Sequence, residues 1–250
     1  MSTRQSNNRT GIVLAAGFGS RLNGSVKETN LKPLTPVAGV PLIFRVIESL
    51  NIAGCNRVVI VLGHGYEEIK QRIQQQYDGP IELIYAYNDK YDLQNGVSVL
   101  SAADYVEDEF VLTMADHILE ESLMQKARKH VPPTDGATLL VDYKIDTIFD
   151  MDDATKVLAE EEKLKSIGKQ IQDYNCIDTG VFLGTQGLLN ALKDRYQETG
   201  DVSLSDGVQE LARRGKMEVL DIGNSFWQDV DTPEMMAYAE EQLAKDSISV

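Results

Sequence analysis

Apolar positions along the chain fall into two alternating patterns. Short unbroken apolar runs read as strands buried on both faces, and apolar residues recurring every three or four positions read as helices. In the first half, 12–16 is a strand and 41–52 a helix with Leu42, Ile43, Val46, Ile47 and Leu50 on one side. A strand at 58–62, a helix at 66–77, a strand at 81–87, a helix at 96–105 and a strand at 110–114 follow. Such alternation predicts a mainly parallel sheet with helices on both faces. The second half predicts strands at 137–143, 164–167, 180–183 and 217–222 and helices at 187–195, 205–214 and 232–244, the last opened by Thr-Pro-Glu. Residues 146–162 are acidic, and within them Asp150, Asp152 and Asp153 read as a solvated turn, because the glycine and distal glutamate of a calcium loop are missing.

Several strand ends carry polar chemistry. The first runs into Gly17-Phe18-Gly19-Ser20-Arg21. Glycines permit close backbone approach to an anion, and an arginine fork matches phosphate oxygens. A P-loop is excluded because Gly24 is followed by Ser25, not Lys-Ser or Lys-Thr, and the dinucleotide fingerprint fails at Leu22. These residues alone leave a phosphate cradle and a plain turn both open. Gly63-His64 closes the strand at 58–62, and Asp116 follows the strand at 110–114. Asp116 reads either as a helix cap or as a magnesium ligand, with Asp229 or Asp231 as a second carboxylate. Lys27 and Lys32 are either solvated or, for Lys32 with Arg21, neutralise a triphosphate. Lys169 is a candidate for an acceptor phosphate.

The chain has 250 residues, 42% hydrophobic and 25% charged, enough for a substantial core. Its 39 acidic and 24 basic residues give a formal charge of −15, which argues against a nucleic-acid partner. An acidic protein that handles phosphates must gather cations locally or recruit divalent metal. Two cysteines exclude a disulfide framework, and His64, His117 and His130 are too scattered to suggest a metal cluster. No apolar run approaches bilayer length, so no membrane insertion is expected, and the polar N-terminus lacks a signal segment. The expectations are a cytoplasmic protein and, from symmetry statistics, a homodimer. Residues 1–10 read as a disordered lead-in and 11–250 as a single domain, with a nucleotide-binding lobe at 11–130 and an acceptor-binding lobe at 131–250.

Taken together, L-A-A-G-F-G-S-R-L, K-P-L-T-P-V-A-G-V-P-L-I, FVLTMADH, D-T-G-V-F and W-Q-D-V-D-T-P-E resemble the nucleotidyltransferases that make sugar nucleotides and CDP-alcohols. Asn88-Asp-Lys-Tyr91, Asn95-Gly-Val-Ser98 and MADH are most similar to the CTP-using branch: inositol-1-phosphate, phosphocholine and phosphonate cytidylyltransferases. The resemblance implies an α/β fold, a three-layer Rossmann-like sandwich with a mostly parallel mixed sheet of the GT-A-like kind. It implies that Leu14, Ala15, Ala16, Gly17, Phe18 and Gly19 hold the nucleotide and that Asn95, Gly96 and Ser98 read the base. Arg21 and Lys32 would hold phosphates, Asp116 and Asp229 would bind Mg2+, and Lys169 and Asp178 would face the acceptor. Asp231 stands between a share in that site and a cap on the last helix.

The function so implied is transfer of CMP from CTP to a small phosphorylated alcohol or a phosphonate, with release of pyrophosphate. The acceptor oxyanion is already a nucleophile at neutral pH, which suits a sequence without a convincing Ser-His-Asp or Cys-His set. The alternatives are a sugar-1-phosphate uridylyl- or thymidylyltransferase and a non-catalytic nucleotide-binding regulator.

Overall fold

Strand β1 (Arg9–Ala15) carries β-branched and small residues buried on both faces, with parallel partners on either side. The computed structural model describes residues 9–18 and 31–246. Along the chain follow β2 (Pro36–Val37), β3 (Val40–Pro41), α1 (Leu42–Ile52), β4 (Cys55–Leu62), α2 (Tyr66–Gln76), β5 (Glu82–Tyr87), α3 (Asn95–Ser101) and β6 (Phe110–Met114). Then come β7 (His117–Leu119), α4 (Glu121–Lys129), β8 (Ala137–Asp142), β9 (Lys156–Glu160), β10 (Lys163–Gly168), β11 (Cys176–Gly184), α5 (Gln186–Thr199), α6 (Leu204–Arg213), β12 (Met217–Asp221), β13 (Trp227–Asp229) and α7 (Pro233–Asp246). The nine-stranded main sheet has the order β5-β4-β1-β6-β11-β8-β12-β10-β9. Every antiparallel ladder in it involves β10 or β11, and the rest are parallel. This is the α/β sandwich with a mostly parallel mixed sheet that the resemblance implies.

Two-residue periodicity builds the layers. Ile12, Val59, Val61 and Leu112 face one core with residues of α3, α5 and α6, while Val13, Val58, Ile60 and Val111 face the other with residues of α1, α2 and α4. Each fully buried aliphatic side chain contributes about 1.5–3 kcal/mol. A small third cluster, Val37, Leu42, Ile118, Val230 and Ala239, seats α7 over β7 and the chain after β13.

Five local features depart from the sequence reading. Arg9 and Thr10, counted in the lead-in, are buried in β1, where Arg9 donates to Glu109 at 3.0 Å and to the Ala127 carbonyl at 2.8 Å. The helix read at 96–105 ends at Ser101 and a separate 3-10 turn covers Ala103–Tyr105. Residues 151–153 form the expected turn, but the acidic stretch beyond them contains a strand without a clear sequence signal, β9, whose Val157 and Ala159 point inward. Its hairpin to β10 turns on Glu161 and Glu162, both left-handed with φ of 49° and 62°. That is the geometry usually signalled by Asn-Gly, so the sequence conceals it. Helix α4 was not foreseen, since only Leu123, Met124 and Ala127 form its buried side. The ribbon of β7 with β13 joins segments 110 residues apart and has no local signal.

Candidate active site

The site forms where β1, β4, β5 and β6 end, the edge at which open α/β sheets bind ligands. Backbone bonds stitch these ends together. Ala115 N–H donates to the Leu14 carbonyl at 3.0 Å, His64 N–H to the Ala16 carbonyl at 3.0 Å, and Asn88 N–H to the Leu62 carbonyl at 2.8 Å. Leu14, Ala15, Ala16, Gly17 and Phe18 therefore lie at this edge. Phe18 is 49% exposed, with its ring 5.3 Å from His64 and 5.4 Å from Tyr91. Gly19, Arg21 and Lys27 lie outside the described residues.

Asp116 lies in the two-residue turn between β6 and β7, and α4 begins only at Glu121, so Asp116 is not that helix's cap. The β7–β13 register sets Asp229 opposite His117, and the Val230 N–H donates to the Asp116 carbonyl at 2.9 Å. Two carboxylates separated by 113 positions thus share one wall. Lys32, at the start of the 3-10 turn Lys32–Leu34, forms ion pairs with both Asp116 and Asp231. The last helix takes its side-chain cap from Thr232, whose hydroxyl accepts from Met235 N–H at 3.3 Å, which leaves the Asp231 carboxylate to Lys32.

Electrostatics follow from this packing. Burial pushes the Asp116 carboxyl up, but the Lys32 charge and the His117 hydrogen bond outweigh it and hold the carboxyl well below the usual range. Burial lowers Lys32, and Asp116 and Asp231 more than compensate, so the ammonium is firmly charged. Asp229 is pushed up, first by burial and then by the charges of Asp116 and Asp231, against the pull of His117. Three carboxylates against one lysine leave net negative charge, and their hard oxygen donors fit a divalent cation. Among the described residues no group of three or more His, Cys, Asp or Glu side chains could hold an ion, so substrate oxygens and water would have to complete its shell.

Asn95, Asp116, Lys169, Asp178, Asp229 and Asp231 line one cavity of about 290 Å³. Lys169 reaches Asp153 at 2.5 Å, and its position follows from the β9–β10 hairpin. Asp178 is the third residue of β11 and accepts from Gly180 N–H at 2.7 Å. Burial raises its carboxyl to about 6 despite that bond and the nearby His117. The base-reading candidates are placed less uniformly. Asn95 accepts from the Leu204 N–H at 2.8 Å and so holds the start of α6 beside the cavity. Gly96 is packed so tightly that a Cβ would come within 2.6 Å of the Val202 carbonyl oxygen, and the buried Ser98 hydroxyl accepts from Asn88 at 3.0 Å. Both therefore have structural work in this fold. His117 and Trp227 also line the cavity. Neither has a sequence signal for a role here: His117 is one of three scattered histidines and Trp227 is the single tryptophan.

A family model, the MobA-like NTP transferase domain, matches residues 11–169. The chain belongs to that family. The NTP transferase is 31% identical to the bifunctional IPC transferase and DIPP synthase of Aquifex aeolicus (strain VF5), over 96% of this chain and 53% of that protein. The protein of the same description from Thermococcus kodakarensis is 29% identical, over 95% of this chain and 51% of the relative. The chain thus spans about half the length of these curated relatives. Among solved structures, the inositol-1-phosphate CTP transferase from T. maritima is 31% identical with a TM-score of 0.81, covering 95% of this chain and 98% of that one. A putative glucose-1-phosphate thymidylyltransferase from Bacillus anthracis has a TM-score of 0.80 at 20% identity, covering 96% of each chain, and supports the fold alone. Among the described residues no helix is long and apolar enough to cross a membrane.

Proposed function

We propose that this NTP transferase is a cytidylyltransferase that moves CMP from CTP to inositol 1-phosphate and releases pyrophosphate. The observation that carries the reading is the meeting of Lys32, Asp116, Asp229 and Asp231 at one end of a cavity that also contains Lys169 and Asp178. The likeness to the T. maritima inositol-1-phosphate CTP transferase over nearly its full length supports the choice of substrates. A phosphate oxygen of the acceptor forms a bond to the α-phosphorus, and the bond from that phosphorus to the bridging oxygen of pyrophosphate breaks. A phosphomonoester loses its second proton near pH 6, so no residue need deprotonate it.

The chain's task is then alignment and charge neutralisation. Lys32 places a fixed positive charge beside Asp116 where the triphosphate's negative charge would accumulate. Gly17, Phe18 and, beyond the described residues, Gly19 and Arg21 are assigned to the nucleotide. Asn95 is assigned to the base from the cavity wall. Asp116 and Asp229 would hold Mg2+, which supplies Lewis-acid stabilisation of phosphate oxygens when bound. Lys169 orients the acceptor phosphate. Asp178, raised to about 6 by burial, is assigned to the acceptor: it would accept from polyol hydroxyls when ionised and donate to one when protonated.

The test is pyrophosphate release from CTP, UTP, dTTP and ATP, each with inositol 1-phosphate, phosphocholine, glycerol 3-phosphate, 2-aminoethylphosphonate and glucose 1-phosphate. The expected result is turnover with CTP and inositol 1-phosphate. Preference for glucose 1-phosphate with UTP or dTTP, or nucleotide binding without pyrophosphate from any pair, would reject the reading.

A further inference from the structure

The imidazole of His117 is the meeting point of three motifs that lie far apart in the sequence. Its Nδ1 is 2.7 Å from Asp116 Oδ1, so Nδ1–H donates and the carboxylate accepts. The Trp227 ring stacks beside it at 6.1 Å and 23°. On the other side lies Gly180, at φ 73°, where an added Cβ would sit 2.4 Å from His117 Nε2. Only a residue without a side chain leaves room for the ring there.

The support continues outward. Trp227 Nε1–H donates to Asp142 Oδ2 at 2.9 Å, and the buried Asp142 accepts at Oδ1 from the Lys144 backbone and ammonium, both at 2.8 Å. Lys144 is tied to the Gly223 carbonyl at 2.6 Å. Asp116 therefore has each oxygen engaged by a different group: Oδ1 by His117 and Oδ2 by Lys32. A carboxylate oxygen with one hydrogen bond keeps another lone pair for a cation.

We propose that His117 is a positioning residue for Asp116, fixing its carboxylate for cation binding, with Trp227 and Gly180 as the seat that holds the ring. This rests on the reading of Asp116 as a metal ligand. Outer partners of this kind fix the orientation of a ligand and tune its donor strength.

The experiment compares H117N, H117Q and H117L with the native chain. Asparagine puts an amide nitrogen near the place of Nδ1, glutamine carries the same amide one carbon further out, and leucine fills the space without a donor. Binding of Mn2+ in the presence of CTP is followed by electron paramagnetic resonance, alongside kcat, KM for CTP and thermal melting. H117N should bind Mn2+ within about threefold of native, while H117Q and H117L should lose about 10- to 100-fold. The KM for the acceptor should stay unchanged in all three. Native affinity in H117L, or equal loss in H117N and H117Q with normal melting, overturns the positioning role. The asparagine–glutamine contrast is informative even if H117L does not fold. Native protein that binds no Mn2+ with CTP would instead overturn the metal reading, and this proposal with it.

Discussion

At the scale of the residue, Lys32 and Asp178 illustrate opposite uses of burial. Lys32 is a buried cation made tolerable by two carboxylates, an arrangement that keeps it charged at any working pH. Lys32→Met should lower kcat about 10²- to 10³-fold, the range for loss of one preorganised charge-stabilising group. Initial rates at saturating CTP check this. A change confined to KM would assign Lys32 to binding alone. Asp178 is a largely buried carboxyl with no ion pair among the described residues, raised to about 6 by burial. Between its unfolded value near 3.9 and about 6 the folded state binds more protons, so its contribution to stability is full below about pH 4 and is lost as pH rises through about 6. Asp178→Asn keeps an oxygen for the Gly180 N–H. It should melt higher than native at pH 8, by up to roughly 3 kcal/mol of stability, with the gap closing by pH 4. Melting curves across that range decide it, and a gap independent of pH would discard the burial account. The same variant should turn over inositol 1-phosphate more slowly. The ring of Phe18, half-exposed against His64 and Tyr91, is assigned to the nucleotide under the proposed function. Phe18→Ala should raise KM for CTP and spare KM for the acceptor, as steady-state kinetics with each substrate varied would report.

At the scale of the element, legibility followed the range of the signal. The strands of β1, β4 and β6 and the helices α1 and α2 stood out because one short window contains both the apolar period and its stop. The β9–β10 hairpin did not, because its turn uses Glu161 and Glu162 in a conformation those side chains rarely adopt. Glu161→Asn with Glu162→Gly should relieve that strain and add about 1 kcal/mol, or 2–4 °C in Tm for a chain of this size. Calorimetry at neutral pH tests it, and a lower Tm would show that the glutamates have partners that matter more than their backbone angles. The ribbon of β7 and β13 was equally hidden, for a different reason. Pairing of His-Ile-Leu with Trp-Gln-Asp depends on the finished sheet bringing them together. Asp116 and Asp229 were recognisable as candidates, whereas the histidine seat made by Gly180 and Trp227 exists only in three dimensions.

At the scale of the whole molecule, a protein with formal charge −15 must draw a polyanion into a cavity rich in aspartate. Long-range repulsion should slow that encounter at low ionic strength and fade as the Debye length shrinks from about 30 Å at 0.01 M to about 8 Å at 0.15 M. The kcat/KM for CTP at fixed free Mg2+ should therefore rise over this range of potassium chloride. A steady fall would mean that local cations dominate the approach. The order of strands carries a further consequence. The sheet is complete at Asp221, yet Asp229, Asp231 and the helix that packs behind them come later. A chain cut after Asp221 would retain every strand of the main sheet yet lack Asp229, Asp231 and α7. Such a cut would part the scaffold from the carboxylates that meet beside Lys32, since Asp229 and Asp231 come only with the elements that follow the sheet.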